Sequence, residues 1–305
     1  MLRDVTVVVN PQAGRGRSRR VAGLAVAELR RLGLAVDVVV TRSAEHARES
    51  AAMAVADGRS AVAVCGGDGA VAAVLPELAG SAVPLGVLPG GSGNDVARAL
   101  GLPVRHPVAA ARVVAEGMAG PIDLGRVTAA DGTERWFATV VAAGFDARVN
   151  ERMNGMTWPR GRIRYHAALI RELAAFRPIP YRLAVDDQRL DCAAMLVAVG
   201  NLASYGGGMN ICPAARPDDG QLDVTVVTSI SRPTLVRLFP SVYSGRHVRR
   251  PEVRTVRGRS VSLSCAASPM VVAYADGERV GPLPISLSVV PGALSVLGAG
   301  TVGGL

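Results

Sequence analysis

Three glycine-rich segments carry the residues whose types and spacing suit chemistry on phosphate groups. Each follows a short apolar run, and they are Asn10-Pro11-Gln12-Ala13-Gly14-Arg15-Gly16, Gly66-Gly67-Asp68-Gly69 and Pro89-Gly90-Gly91-Ser92-Gly93-Asn94-Asp95. Glycine allows positive φ and a close approach of the backbone to a ligand. A helix is predicted directly after each segment, so free backbone N–H groups and the helix dipole point toward one place. The three segments together predict phosphate binding, although each one alone would be interpreted as a tight turn.

The absence of lysine narrows the kind of nucleotide site. All 34 basic residues are arginine. A Walker A loop requires a lysine on the β- and γ-phosphates, so the sequence excludes a site of that kind.

Three aspartates indicate that a metal ion binds together with the phosphates. Asp68 and Asp95 lie in the second and third segments, and Asp123 lies at the end of the first half of the chain. A carboxylate beside a triphosphate is useful when Mg²⁺ lies between them. For Asp95, a helix cap or first-turn acid is an equally good interpretation.

The elements that position these residues are predicted to form an α/β domain over residues 1–125. Short β-branched runs at 5–9, 35–40, 61–64 and 85–88 alternate with helical stretches at 18–32, 44–56, 70–78 and 94–100. This alternation predicts a parallel sheet that is covered on both faces. In such folds, ligands bind past the carboxyl ends of the strands.

Residues 126–291 predict a separate antiparallel β domain. Strand-like runs fall at 136–142, 181–185, 194–199, 222–228, 261–264, 271–275 and 285–290, and helices are predicted at 163–176 and 233–243. Asp186-Asp187 and Asp276-Gly277 are typical of hairpin turns. The C-terminal tail, residues 292–305, could return to the first domain.

Charge and hydropathy favour a cytoplasmic protein that visits membranes peripherally. The net charge is +9, and residues 144–260 hold 18 Arg against 10 acidic residues. Residues 246–259, with six Arg and one Glu, suit docking to anionic lipid, although a solvated basic face is the alternative. Nucleic acid is not expected, because few aromatic residues accompany the arginines. Neither a signal peptide nor a transmembrane segment is predicted.

In this order, Asn10-Pro11-x-x-Gly14, Gly66-Gly67-Asp68-Gly69 and Pro89-x-Gly91-Ser92-x-Asn94-Asp95 resemble the catalytic domain of the diacylglycerol kinase family. That family includes bacterial soluble diacylglycerol kinases, sphingosine kinases and ceramide kinases. The resemblance implies a Rossmann-like parallel sheet of the NAD kinase and diacylglycerol kinase type, followed by a C-terminal antiparallel β-sandwich. It also implies ATP as phosphoryl donor and Mg²⁺ as metal.

The same resemblance implies roles for particular residues. Asp68, Asp95 and Asp123 match acids that organise magnesium and water. Ala70 departs from the family, where Thr or Ser commonly follows the third glycine. The residues implied to contact the nucleotide are Asn10, Pro11, Gln12, Ala13, Gly14, Thr41, Gly66, Gly67, Asp68, Gly69, Ser92 and Asn94.

Two C-terminal motifs extend the resemblance. The segment from Arg216 to Asp223 resembles one that binds a structural Mg²⁺ through the Asp219 carboxylate and the carbonyls of Arg216 and Gln221; an ordinary Asp-Asp-Gly turn fits its local chemistry equally well. In Asp276-Gly277-Glu278, the resemblance makes Glu278 the catalytic proton acceptor and Asp276 its assistant. From the residues alone, an exposed hairpin is the simpler interpretation.

The leading hypothesis is an ATP-dependent kinase that phosphorylates a hydroxyl of diacylglycerol or a related lipid. The alternatives are a kinase of the same superfamily with a soluble acceptor such as NAD, and a non-catalytic nucleotide- or lipid-binding regulator. Expected partners are a lipid substrate and an anionic membrane surface, with a homodimer through an exposed edge strand as a further possibility.

Overall fold

A computed structural model describes residues 2–144, 178–265 and 271–299. The chain divides into two compact units. The described residues of unit 1 are 2–124, Pro217–Asp219 and 290–299, and those of unit 2 lie within 125–216 and 220–289. Each unit has its own buried apolar core. The predicted helix at 163–176 lies outside the described residues.

Four strands that lie wholly within unit 1 form a parallel sheet in the order β4-β3-β1-β2. These strands are β1 (Asp4–Val9), β2 (Ala35–Val40), β3 (Val62–Gly66) and β4 (Leu85–Pro89). β3 and β4 are buried throughout, which explains their nearly uninterrupted apolar sequences. β2 is the edge strand, and its Val38 and Val40 side chains are exposed; the homodimer stays a prediction.

Five helices follow or connect these strands. They are α1 (Arg17–Arg31), α2 (Ala44–Ala56), α3 (Asp68–Leu78), α4 (Asp95–Ala99) and α5 (Pro107–Glu116). Helix α2 begins after Ser43, whose side chain accepts a hydrogen bond from the His46 N–H. Because α1, α3 and α4 begin just after β1, β3 and β4, the glycine-rich segments all lie at the carboxyl ends of the strands.

Unit 2 contains an antiparallel sheet in the order β14-β13-β7-β9-β8-β12-β15. β10 pairs with β9 and β11, and β5 pairs with β6. Two strands have residues in both units, β5 (Ala119–Thr128) and β15 (Ile285–Leu297). The other elements of unit 2 are β6 (Glu134–Phe137), β7 (Val140–Gly144), β8 (Ile179–Val185), β9 (Gln188–Gly200), β10 (Leu222–Thr228), α6 (Arg232–Val242), β11 (Val253–Gly258), β12 (Ser260–Cys265), β13 (Val272–Ala275) and β14 (Glu278–Pro282).

The predicted fold classes of both halves are confirmed, with some differences in the elements. Both predicted hairpin turns are present, and Asp186 and Asp276 each adopt positive φ. The single strand predicted at 136–142 is instead two strands, because residues 138 and 139 donate their N–H groups to a side chain rather than to a neighbouring strand. Helix α5 and strands β5 and β11 were not predicted. β15 is longer than expected, and its end pairs with β4 through Val296.

A buried carboxylate joins two helices of unit 1. Glu28 on α1 accepts hydrogen bonds from Arg31 at 2.7 Å and from Arg112 of α5 at 2.8 Å. These bonds, led by that from Arg31, lower the pKa of the Glu28 carboxyl from its ordinary 4.5 to about 2. The carboxylate therefore stabilises the fold above pH 4.5, and this contribution is lost as the pH falls toward 2.

We expect Glu28→Gln to lower the free energy of unfolding near neutral pH, and we expect the deficit to shrink as the pH falls through the range from 4.5 to 2. Urea unfolding midpoints measured across that range would test this. Glu49→Gln, which removes an exposed carboxylate from α2, is the matched control and should show a much smaller pH-dependent difference. A Glu28→Gln deficit that stays constant with pH would contradict the ion pair.

Candidate functional site

The first glycine-rich segment is a tight loop between β1 and α1. The Asn10 side chain accepts a hydrogen bond from Gln12 N–H at 3.1 Å, and Asn10 N–H donates to Cys65 O at 3.0 Å. Gly14, Arg15 and Gly16 adopt three successive left-handed conformations. A Cβ on Gly14 would lie 2.2 Å from the carbonyl oxygen of Gly90. Only glycine therefore fits where the first segment meets the third.

The second and third segments contact each other through their backbones. The N–H groups of Gly90 and Gly91 donate to Gly66 O at 2.8 and 2.9 Å. A Cβ on Gly91 would lie 2.3 Å from Gly67 Cα, and one on Gly67 would lie 3.1 Å from Gly91 Cα. The three segments, including Gly69 in the first turn of α3, thus form one continuous surface of backbone at the ends of β1, β3 and β4.

Asn94 shapes the third segment. It adopts φ +57, and its buried side-chain amide accepts from Gly91 N–H at 2.9 Å and donates to Gly91 O at 3.0 Å. Ser92 is exposed on the same segment. Thr41 is buried, with its hydroxyl donating to Val9 O at 3.1 Å. The nucleotide contacts of these residues stay predictions.

Asp68 and Asp95 lie at this end of unit 1, and they and Asp123 have structural partners. Asp68 accepts a hydrogen bond from Val96 N–H of α4 at 3.0 Å. Asp95 is buried, with one oxygen 3.7 Å from Arg98 Nη1. Asp123 is also buried and accepts from Gly292 N–H at 2.8 Å, while its own N–H donates to Pro217 O at 2.6 Å.

The structure does not gather these acids into one ligand cluster. Within the described residues, no three His, Cys, Asp or Glu side chains come together in a way that could hold a metal ion. Gly220, after Asp219, has φ +66, as an Asp-Asp-Gly turn requires. The metal-binding roles of Asp68, Asp95 and Asp123, and of Arg216, Asp219 and Gln221, stay predictions.

In unit 2, the Asp276 side chain binds Ala138 and Thr139, the two residues that form the break between β6 and β7. Its carboxylate accepts from the N–H groups of Ala138 and Thr139, both at 2.8 Å, and from the Thr139 hydroxyl. Burial raises the pKa of the Asp276 carboxyl, while these hydrogen bonds act in the opposite direction. The carboxylate therefore holds the β13–β14 hairpin against residues 138 and 139.

Asn201 supports the same break from another strand. It is fully buried at the end of β9, and its Nδ2 donates to Ala138 O at 3.0 Å. The N–H groups of Asn201 and Leu202 both donate to Thr139 O. Sequence reasoning missed Thr139; the one local signal was a polar Thr within an apolar run.

Glu278 differs from Asp276 in its surroundings. It is the first residue of β14, pairs with Ala275 across the hairpin, and is exposed. Its carboxylate forms no hydrogen bond or ion pair with any residue that the structure describes. The β13–β14 hairpin thus carries two carboxylates with different surroundings. That of Asp276 accepts three hydrogen bonds, and that of Glu278 forms none within the described residues.

The chain contains a second hairpin of the same design. Asp186, between β8 and β9, has φ +48 and accepts from the N–H groups of Arg259 and Ser260 and from the Ser260 hydroxyl. Residue 259 separates β11 from β12, as residues 138 and 139 separate β6 from β7. An aspartate in this turn therefore has a structural use that is independent of catalysis.

Two other features bear on partners. All six arginines between Arg246 and Arg259 are exposed, and one of them, Arg257, pairs with Asp223 at 3.1 Å.

Among the helices in the described ranges, none is long and apolar enough to span a membrane.

Two family profiles match most of the chain. The profile described as the diacylglycerol kinase catalytic domain matches residues 4–127. The profile described as the YegS C-terminal NAD kinase beta sandwich-like domain matches residues 139–298.

Individual relatives cover nearly the full length. A protein of Mycobacterium tuberculosis (strain ATCC 25618 / H37Rv) named "Diacylglycerol kinase" is 47% identical over 294 residues, 96% of this chain and 94% of its own. A protein of Stenotrophomonas maltophilia (strain K279a) named "Probable lipid kinase YegS-like" is 32% identical over 88% of both chains. A crystal structure of a diacylglycerol kinase from Bacillus anthracis str. Sterne shares the fold, with a TM-score of 0.72 over 97% of both chains at 20% identity.

We expect Gly14→Ala to destabilise unit 1 by about 2 kcal/mol or more, because it combines a strained left-handed alanine with a clash against Gly90. Gly16→Ala is the matched control, since Gly16 has φ +86 but open space around its Cβ position. Calorimetric melting of both variants would separate the clash from the backbone strain. Equal shifts in melting temperature would argue against a tight contact between the segments.

We expect Asp276→Asn to lower the free energy of unfolding by about 1–3 kcal/mol, because the new amide would turn an N–H donor toward the donors of residues 138 and 139. Asp186→Asn changes the same kind of turn at an exposed position and should cost less. Denaturant unfolding of the two variants would compare them. A neutral Asp276→Asn would contradict the structural role described above.

Proposed function

Because this chain belongs to the family of diacylglycerol kinases and YegS-like lipid kinases, we propose that it transfers the γ-phosphoryl group of ATP to a hydroxyl of diacylglycerol or a related lipid. The observation that carries the proposal is the presence of Asp276 and Glu278 on one hairpin. Hydrogen bonds hold the Asp276 carboxylate, whereas Glu278 is exposed and forms no hydrogen bond or ion pair within the described residues. This arrangement suits a proton acceptor whose position is fixed by its neighbour.

The backbone surface of unit 1 suits the phosphates of the donor. Glycine lets an anion approach the backbone of these segments closely, and α1 begins directly after the first segment and α3 within the second. The predicted contacts from the first segment, the Gly66–Gly69 segment, Thr41, Ser92 and Asn94 are therefore proposed as the ATP site. Arginine supplies positive charge here, since the chain lacks lysine.

Magnesium is proposed to accompany ATP, since a bound Mg²⁺ would neutralise charge on the transferring phosphoryl group. Asp68 and Asp95 lie within the second and third glycine-rich segments. Mg²⁺ is commonly held by one or two carboxylates together with substrate phosphates, which fits the scattered placement of these acids. Asp123, and the separate set of Asp219 with the carbonyls of Arg216 and Gln221, are proposed as further metal- or water-binding groups.

The chain's own contribution to the reaction is proposed as follows. The lipid hydroxyl oxygen forms a bond to the γ-phosphorus while the bond from that phosphorus to the leaving ADP oxygen breaks. Glu278 accepts the hydroxyl proton as the attack proceeds. Asp276, Thr139 and Asn201 act through Glu278 by fixing its hairpin, and they are positioning residues in this scheme.

The basic segment of unit 2 is proposed to bring the enzyme to its substrate. The exposed arginines between Arg246 and Arg259 would approach the negative surface of an anionic membrane. In a mixed-micelle assay, this proposal requires a higher rate with anionic than with neutral detergent or lipid. Equal rates in the two kinds of micelle would contradict docking by charge.

We expect Glu278→Gln to reduce phosphoryl transfer about 100-fold or more without a change in melting temperature. Radiolabelled γ-phosphate from ATP and Mg²⁺ would be followed into diacylglycerol, sphingosine, ceramide and NAD. Asp187→Asn is the matched control, because it removes an exposed carboxylate from the twin hairpin.

The acceptor panel also decides between functions. Label in a lipid that is lost with Glu278→Gln and kept with Asp187→Asn would support the proposal and identify the acceptor class. Label in NAD alone would overturn it in favour of a soluble acceptor. Nucleotide binding without transfer to any lipid would favour a non-catalytic regulator.

A further inference from the structure

The outer edge of β2 is open. In the part of the chain that the structure describes, β2 pairs with β1 and with no other strand. At its start, Ala35 N–H donates to Arg3 O at 3.0 Å, and just past its end, Thr41 N–H donates to Val9 O at 2.9 Å. Backbone groups alternate between the two sides of a strand. The odd-numbered residues of β2 therefore face β1, and the even-numbered residues face away from the sheet.

Side-chain hydrogen bonds close this outer edge at both ends. Before the open part, Val36 O accepts a hydrogen bond from Arg30 Nη2 at 3.2 Å. Beyond the strand, Arg42 N–H donates to His46 Nδ1 at 3.3 Å. Between these two closed positions, only two residues direct their backbone groups away from the sheet.

Those two residues are Val38 and Val40. Each offers one N–H donor and one C=O acceptor, and no hydrogen bond to these groups lies within the described ranges. Their side chains are 42% and 55% exposed. Unpaired backbone groups beside exposed β-branched side chains are a template for pairing with another strand.

The other edge strands that the structure describes have a different surface. Those strands, β6, β11 and β14, each carry exposed charges, which are Glu134, Arg135, Arg254, Arg257, Glu278 and Arg279. Charged side chains protect an edge against pairing. The one charge of β2, on Asp37, is paired with Arg59, and the strand then continues as three valines. This contrast indicates that the edge of β2 is adapted to pairing.

We propose that β2 pairs antiparallel with β2 of a second copy of this chain, about a two-fold axis at Val39. Val38 of each copy then lies opposite Val40 of the other. The two pairs exchange four backbone hydrogen bonds, so every open donor meets an open acceptor. A shift of two residues in either direction would place an open residue opposite Val36 or Arg42, whose outward groups are already bonded. This dimer does not depend on the proposed kinase activity.

Sedimentation equilibrium of the full-length chain would measure the association. Val38→Lys with Val40→Lys places like charges opposite each other in both cross-strand pairs, so we expect this double variant to dimerise about 10- to 100-fold more weakly than wild type. Leu24→Lys with Met118→Lys adds the same charge at exposed apolar positions outside β2 and should dimerise as wild type does. Melting temperatures would establish that both double variants fold.

Oxidative cross-linking would test the register. At the two-fold axis, Val39 is opposite itself in a non-hydrogen-bonded pair, whose Cα atoms lie about 4.5 Å apart, a separation that a disulfide can bridge. We therefore expect Val39→Cys to form a disulfide-linked dimer. Val38→Cys should not, because two residues 38 would be separated by more than the limit of about 7 Å. Wild type treated in the same way gives the contribution of the four natural cysteines.

Three outcomes would overturn the proposal. The first is a monomeric wild type together with a Val39→Cys variant that does not cross-link. The second is equal dimerisation of the two lysine double variants, because the contact would then lie outside β2. The third is a cross-link through Val38→Cys in place of Val39→Cys, because the two-fold axis would then lie at another residue.

Discussion

Backbone-to-backbone contact between the glycine-rich segments is the constraint on which the arrangement of unit 1 depends. Neighbouring strands of a sheet lie about 4.8 Å apart, so the segments that leave adjacent strand ends must pass close to one another. Side chains at Gly14, Gly67 or Gly91 would occupy the space that backbone atoms of the neighbouring segment fill. Without those side chains, the three segments form one surface and α1, α3 and α4 can begin beside it.

This constraint also bears on how the proposed ATP site would work without lysine. In a Walker A loop, a flexible ammonium group reaches over the phosphates. Here Arg17 and Arg98 donate to carbonyl groups of the third segment, so their charges are held in place by the backbone that they flank. Arginine suits this use because its several N–H groups can bind a carbonyl and still face a ligand.

The sequence predicts the parts of this protein that depend on neighbouring residues in the chain. Buried parallel strands appear as valine-rich runs, and the Asp276-Gly277 turn has its own local chemistry. The break between β6 and β7 could not be predicted, because it exists only through Asp276 and Asn201, which are distant in sequence. Helix α5 was missed because its alanine-rich sequence, which begins at Pro107, lacks a capping side chain. The motifs locate the candidate site, but its supporting residues depend on tertiary contacts.

The two aspartate hairpins show why turn chemistry alone cannot identify a catalytic motif. Both turns place an aspartate at positive φ, and both carboxylates bind the break between two consecutive strands. The residue that follows each two-residue turn is Gln188 in one hairpin and Glu278 in the other, and both are exposed. The local structures are therefore nearly the same, and the hairpins differ in where the second carboxylate lies: at Asp187 within one turn and at Glu278 just after the other. Glu278 can accept a proton from a substrate only where its hairpin faces a bound substrate. The function therefore resides in the site rather than in the fold of the turn.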